Sequence, residues 1–141
     1  MTIEVTPSMS IIRKDNWTQV VIREDGFING SLLAEQINDY LIKFLKSEGA
    51  QETIGHIQNL TGIKRVFYKH ESVWSNIRGW YIHPFLALEF ASIKKHQDPD
   101  YQEEFDFLKE SIFNWIEENN LKEENSLIYE FYHETGEFYA E

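Results

Sequence analysis

The sequence predicts a compact single α+β domain with short β-hairpins and four to five helices. Two patterns support this prediction. Short segments rich in β-branched and aromatic residues are bounded by turn signals, and they alternate with longer segments whose apolar residues recur every three to four positions. The chain has 141 residues, 42% of them hydrophobic and 15% aromatic. This composition excludes a disordered chain and favours one domain with a substantial core.

The N-terminal segment is expected to be a loose leader followed by a β-hairpin. Residues 1–10 contain a proline and several small polar residues, which is typical of a leader. The segments TQVVIR (18–23) and FIN (27–29) flank a Glu-Asp-Gly turn. An Asp-Gly pair between two apolar runs is a strong hairpin signal, so these segments are predicted to pair as strands.

Two helices are predicted after this hairpin. Apolar residues at helical spacing predict the first helix over residues 31–47, with Ser31 as its N-cap and Gly49 just beyond its end. The same spacing predicts a second helix over residues 51–61, ended by Gly62.

The second half is predicted to hold two further strands and two further helices. Residues 65–69 and 80–82 have strand composition. Pro84 suits the first turn of a helix that is apolar nearly all round and is therefore expected to be central and buried. The last helix is expected to end near residues 119–120. The aromatic-rich tail after it is interpreted as a small hairpin, with a helix as the alternative.

The charge is distributed unevenly along the chain. The net charge is −11, but residues 60–96 carry a net +4 and residues 97–141 carry a net −12. The acidic total argues against nucleic-acid binding at first sight. The basic middle segment makes such binding plausible again, and the acidic C-terminal part is a candidate surface for a protein partner.

Two sequence blocks resemble the KilA-N domain family, which occurs mainly in large DNA viruses and bacteriophages and is similar to the APSES DNA-binding domains. They read REDGFINGSLLAEQIN (23–38) and GWYIHPFLALEFA (79–91). The resemblance covers about residues 10–117, so residues 11–120 are predicted to form one KilA-N-like domain and residues 121–141 an acidic, aromatic extension. It implies a winged-helix-like fold and DNA binding. This sequence departs from the family pattern after Asn29, where Gly30 and Ser31 replace the usual Ala-Thr.

The predicted DNA contacts lie in and beside the basic middle segment. A β-ribbon with basic flanks is suited to gripping phosphates. The alternative is an ordinary solvated hairpin with scattered positive charges. The residues predicted to contact double-stranded DNA are Lys64, Arg65, Lys69, Trp74, Asn76, Arg78, Lys94 and Lys95. His83, by contrast, is interpreted as a buried structural joint, because its neighbours are almost all apolar.

An interaction module that kept the fold and lost DNA binding is the alternative function. Its partner would be a host or viral protein. Aromatic residues in the acidic extension would anchor that partner, because aromatic side chains are enriched at the cores of protein interfaces. These residues are Tyr129, Phe131, Tyr132, Phe138 and Tyr139.

Catalysis, metals and membranes are not expected. The sequence has no Gly-rich phosphate loop, no nucleophile elbow and no His-Glu-x-x-His pattern. We therefore predict no enzyme activity, no metal and no cofactor. The chain has no cysteine, no signal-peptide pattern and no apolar run near the roughly 20 residues of a membrane span. A soluble intracellular protein, in the host cytoplasm or nucleus if viral, is expected.

Overall fold

A six-stranded antiparallel sheet organises the chain, with the strand order β1-β2-β3-β4-β6-β5. The computed structural model describes residues 9–119 in full and residues 2–6 by their backbone path. The strands run over Thr2–Thr6 (β1), Met9–Arg13 (β2), Gln19–Arg23 (β3), Ile28–Asn29 (β4), Phe67–His70 (β5) and Gly79–Ile82 (β6).

Two hairpin loops lie at the same end of this sheet. The β2–β3 loop (residues 14–18) follows the pair Arg13↔Gln19, and the β5–β6 loop (residues 71–78) follows the pair His70↔Gly79. Strands β3, β4 and β6 are antiparallel neighbours, so β6 runs in the same direction as β3. The loops that precede β3 and β6 therefore project from the same end of the sheet.

Five α-helices are present in the described residues, which confirms the α+β prediction. They run over Gly30–Gln36 (α1), Leu41–Leu45 (α2), Glu48–Thr61 (α3), Pro84–Gln97 (α4) and Gln102–Glu118 (α5). A 3₁₀ turn at Pro99–Tyr101 connects α4 to α5. None of these helices has both the length and the apolar character needed to cross a bilayer.

The sheet buries apolar side chains on both faces, because its strands alternate between two cores. The larger core packs one face of the sheet against the helices, and α4 is buried within it from Pro84 to Leu88. The smaller core lies on the other face and is built from Met9, Ile11, Val21, Phe27, Ile77 and Tyr81. Ile77 comes from the β5–β6 loop, so this loop folds back over the second face.

The prediction of a loose leader is wrong for most of residues 1–10. Residues 2–6 form β1, and residues 9–10 begin β2. Without β1, strand β2 would stand at the edge of the sheet with unpaired backbone groups, and such groups favour pairing with any available strand. Ile3 and Val5 are β-branched and suit that strand.

The predicted continuous helix over residues 31–47 is instead two short helices, α1 and α2. The chain turns at Asn38, whose φ of 52° is left-handed. Asparagine tolerates this conformation better than most residues. The cap of α1 is Asn29, not Ser31, and Gly49 lies inside the first turn of α3, which Ser47 caps. The predicted stop at Gly62 is confirmed by its left-handed φ of 76°.

The acidic aromatic extension falls outside the described residues. The predicted hairpin or helix there, and the five aromatic residues proposed as anchors, stay predictions.

Candidate nucleic-acid interface

An open groove of about 730 Å³ lies between the start of α1 and the β5–β6 loop. Because β4 runs directly into α1 and pairs with β6, the first turn of α1 is placed beside the loop that enters β6. Three residues predicted to bind DNA line this groove. They are Lys69, Asn76 and Arg78, and Ser31 and Glu35 line it from α1.

A buried asparagine joins the two walls of the groove. The Asn29 side chain is 1% exposed. Its Oδ1 accepts a hydrogen bond from the Leu32 backbone N–H at 3.1 Å, which caps α1. Its Nδ2 donates to the carbonyl oxygens of Asn76 at 3.0 Å and Arg78 at 3.3 Å. One side chain therefore fixes the helix start and the path of the β5–β6 loop together.

The floor of the groove requires a glycine at position 79. Gly79 has a φ of 140°, and a Cβ there would lie 2.8 Å from Ser31 Oγ. The Ser31 hydroxyl accepts a hydrogen bond from the Trp80 backbone N–H at 2.9 Å. Ser31, which the sequence pattern assigned to a helix cap, thus links α1 to β6. Glycine permits this close approach of the two backbones.

His83 is buried structure, which confirms its interpretation as a joint. It is 0% exposed and caps α4, with Nδ1 accepting the Phe85 backbone N–H at 3.2 Å. The Phe27 ring meets the His83 ring edge-on, with 5.7 Å between the centroids. Burial lowers the pKa of His83 from 6.5 to about 3, so the imidazole is neutral at physiological pH.

The groove carries charges of both signs. Lys69 forms an exposed ion pair with Glu71 at 3.3 Å, and Glu35 lies on the opposite wall. Exposed ion pairs of this kind contribute little to stability, so Lys69 can leave Glu71 at a small cost in free energy. Arg78 is exposed and has no ion-pair partner within the described part of the chain. Its guanidinium is the cation of the groove that is available to a ligand.

The other basic residues predicted to bind DNA do not join this groove. Lys64 and Arg65 precede β5 and so lie at the opposite end of that strand from Arg78. The Arg65 guanidinium lies over the Tyr68 ring, 5.8 Å from its centroid. The predicted basic set is therefore divided along the sheet.

The two lysines near the end of α4 are engaged in packing. Lys94 Nζ lies 3.9 Å from an Asp39 carboxylate oxygen and donates to the Asn38 carbonyl oxygen at 3.3 Å. Lys95 Nζ lies 4.0 Å from the centroid of the Phe105 ring. Both lysines connect α4 to neighbouring elements, so their ammonium groups already take part in contacts within the fold.

Sequence reasoning missed a polar cluster beside the second core. A guanidinium nitrogen of Arg23 lies 3.1 Å from His70 Nδ1, and the same guanidinium lies 5.3 Å from the Tyr68 ring centroid. The Tyr68 hydroxyl donates to Asp25 Oδ2 at 2.5 Å. Burial and this bond raise the pKa of Tyr68 well above its usual range. No sequence spacing signals this cluster, because β3 and β5 are far apart in the chain.

The sequence profile of the KilA-N domain matches residues 12–97. The chain belongs to the KilA-N domain family. KilA-N domains are generally DNA-binding and not typically catalytic. The match to the KilA-N domain runs from β2 to the end of α4, so it includes the whole groove and leaves α5 beyond it. Comparisons with curated proteins and with solved structures gave no match.

The groups that line the groove of this KilA-N domain suit the binding of a ligand. Across the described residues, no three His, Asp or Glu side chains are placed to hold an ion. The groove presents a guanidinium, an ammonium, an amide and a hydroxyl group. These are the groups that most often contact the phosphates and sugars of DNA.

Proposed function

We propose that this protein binds double-stranded DNA without catalysis, through the groove between α1 and the β5–β6 loop. Family membership supports DNA as the ligand. The observation that favours this groove is the exposed Arg78 at its rim, next to Lys69 and Asn76. A guanidinium presents a planar fork of donors that matches the oxygens of a phosphate.

Each groove residue has a separate role in this proposal. Arg78 takes one backbone phosphate, and Lys69 turns from Glu71 to a second one, because their exposed ion pair is weak. The Asn76 side chain lines the groove while its backbone carbonyl is held by Asn29. A preformed loop lowers the entropy lost on binding.

The biological setting that we propose is a viral or phage module acting inside a host cell. There it would bind DNA in a regulatory or host-interaction role. The resemblance of both sequence blocks to viral and phage KilA-N domains supports this setting.

The test compares two charge reversals on the same strand-loop-strand unit. We expect Arg78→Glu to abolish binding of a labelled random duplex in fluorescence anisotropy at about 50 mM salt. Removing a phosphate contact and adding a like charge weakens binding for every sequence alike. Arg65→Glu is the matched control, because it makes the same change of net charge at the opposite end of β5.

The two variants distinguish the groove from a general charge effect. If both reversals weaken binding equally, the contact is not localised at the groove. If the folded, unmodified protein does not bind the duplex at about 50 mM salt, the proposed function is wrong.

The second candidate is a protein-interaction module, which the net charge of −11 and the two carboxylates of the groove favour. It would capture a host or viral protein through the C-terminal aromatic residues. A pull-down with residues 97–141 as bait tests this candidate. Retention of a partner that is lost when Tyr129, Phe131 and Tyr132 are changed together to Ala would support it.

A further inference from the structure

Two exposed tryptophans stand at the tips of the two loops that share one end of the sheet. Trp17 in the β2–β3 loop is 85% exposed, and Trp74 in the β5–β6 loop is 59% exposed. Val73 beside Trp74 is 91% exposed. Three of the six large apolar side chains that are exposed in the described residues therefore lie at this end, and clustered exposed apolar groups mark interaction sites.

The β2–β3 tip is held rigidly beneath Trp17. One oxygen of Asp15 accepts hydrogen bonds from the backbone N–H groups of Trp17 at 2.8 Å and Thr18 at 2.7 Å. The Lys14 N–H donates to the Thr18 carbonyl oxygen at 3.0 Å and closes the turn. These bonds lower the pKa of Asp15, so its carboxylate is committed to the turn.

The β5–β6 tip is fixed in a comparable way. The Trp74 N–H donates to Ser72 Oγ at 3.1 Å. The Trp74 carbonyl oxygen accepts from the N–H groups of Ile77 at 3.1 Å and Arg78 at 3.0 Å. Ile77 is buried in the second core, which anchors the base of the loop. Both indoles are therefore presented on ordered turns.

Each tip also carries an arginine that is available for a phosphate. Arg13 ends β2 and Arg78 precedes β6, and both are exposed. Neither has an ion-pair partner among the residues that the structure describes. Of the nearby carboxylates, Asp15 caps its turn and Glu71 pairs with Lys69, while Glu35 lies across the groove from Arg78. The combination of one exposed indole with one free guanidinium thus occurs twice.

This repeated combination matches nucleic acid with unpaired bases. An indole stacks on the face of any base, and a guanidinium binds the phosphate beside it. Inside a continuous duplex the base faces are covered by neighbouring bases. Unpaired bases expose these faces at a smaller cost of unstacking.

We propose that Trp17 and Trp74 stack on unpaired bases, so that this protein prefers DNA with a short single-stranded gap over continuous duplex. The proposal rests on the proposed function and names the form of DNA that the same end of the molecule recognises. Three strand spacings, about 14 Å in all, separate the centre lines of the two hairpins in the sheet, and we expect a similar distance between their tips. At about 3.4 Å per nucleotide step, a gap of about four nucleotides spans both tips.

The experiment measures the affinity of the full chain for two labelled duplexes that differ only in a gap of about four nucleotides. We expect the unmodified protein to bind the gapped DNA more tightly. Trp17→Ala and Trp74→Ala should each weaken that binding about fivefold or more, because base–aromatic stacking contributes at this level. Trp17→Ala should change binding to continuous duplex by less than about twofold. Tyr40→Ala, which removes a 75% exposed aromatic ring elsewhere, is the matched control and should change neither.

A second readout reports the stacking directly. Gapped DNA should quench the tryptophan fluorescence of the unmodified protein, and this quenching should be smaller in Trp17→Ala. Trp115 is buried and Trp80 half-buried, so the exposed pair dominates the change. All variants are checked for an unchanged thermal unfolding transition.

Three outcomes would overturn the proposal. Equal affinity for both DNAs excludes a preference for unpaired bases. Tryptophan variants that bind gapped DNA normally show that the two indoles do not stack on its bases. If duplex binding persists in either case, the proposed function stands and this proposal alone fails. If neither DNA binds to the unmodified protein, the proposed function fails as well.

Discussion

His83 links the stability of the protein to pH through a single buried ring. Its pKa is about 3 in the folded state, against the ordinary value of 6.5 that the unfolded chain retains. As the pH falls below about 6.5, His83 becomes protonated in the unfolded chain, whereas it stays neutral in the folded protein until the pH approaches about 3. The folded state therefore loses stability as the pH falls toward about 3. Between about pH 7 and pH 5 the loss from this residue is about 2 kcal/mol.

Urea denaturation at the two pH values, beside the variant His83→Asn, tests this prediction. Asparagine also caps helices, so the variant keeps an acceptor for the Phe85 N–H. Burial raises the pKa of Glu89 on α4, an effect of opposite sign, but Glu89 is present in both proteins and cancels. The unmodified protein should lose about 2 kcal/mol more than the variant. If the unmodified protein and the variant lose equal free energy of unfolding, His83 can be protonated in the folded state and its pKa is not lowered by folding.

Residue patterns predicted the buried His83 and the helix start at Pro84 correctly, and they placed the cap of α1 at Ser31 incorrectly. An apolar neighbourhood is visible along the chain, so the burial of His83 could be inferred. Asn29 and Ser31 are both good helix caps. The choice between them depends on Trp80 and the β5–β6 loop, which are about 50 positions away and approach only in the folded sheet.

At the scale of elements, the β5–β6 loop depends on the cap of α1. Replacing Asn29 with Ala removes the cap and leaves the carbonyl oxygens of Asn76 and Arg78 without their donor. We expect the free energy of unfolding to fall by about 3 kcal/mol, the sum of a lost cap and of lost buried hydrogen bonds. Urea denaturation measures this fall.

Ser31→Ala is the comparison for this substitution. It removes one hydrogen bond, to the Trp80 N–H, and should cost about 1 kcal/mol. A smaller loss for Asn29→Ala than for Ser31→Ala would contradict the role of Asn29 as the joint between helix and loop.

The helices with local start and stop signals were predictable, and the others were not. Pro84 starts α4 and Gly62 ends α3, as their conformational preferences require. The break between α1 and α2 has no Pro or Gly to signal it. Asn38 is held in its turn by contacts from Lys94 on α4, and that partner is distant in sequence.

At the scale of the whole molecule, few phosphate contacts are compatible with so acidic a chain. The net charge is −11, and the exposed cations at the proposed binding end are Arg13, Lys14, Lys69 and Arg78, of which Lys14 pairs with Glu103 and Lys69 with Glu71. With about two to four phosphates neutralised, the DNA affinity should fall about 10- to 150-fold between about 50 and 200 mM salt. Anisotropy titrations across this range give the slope. A fall beyond about 1,000-fold would require more contacts than this end of the molecule offers.

The position of the site could be predicted only in part. The segment at residues 64–78 contributes Lys69, Asn76 and Arg78 to the groove, and α1 contributes Ser31 and Glu35. The division of the basic set could not be inferred, because hairpin pairing places Arg65 and Arg78 at opposite ends of β5. No sequence pattern singles out Trp17, since only the antiparallel order of β3, β4 and β6 aligns its loop with the other one.

The pairing of β4 with the distant strand β6 has a consequence for the speed of folding. The hairpins β2–β3 and β5–β6 each join residues close in sequence, whereas β4 pairs Ile28 with Ile82 and Asn29 with Tyr81. This two-residue strand is the seam between both halves of the sheet. The chain between β4 and β6 must close into a long loop before these strands can form their contacts. The entropy lost in closing this loop raises the barrier to folding. The proposed binding end, which needs both halves, therefore forms late, and a nascent chain acquires it only after β6 has been made.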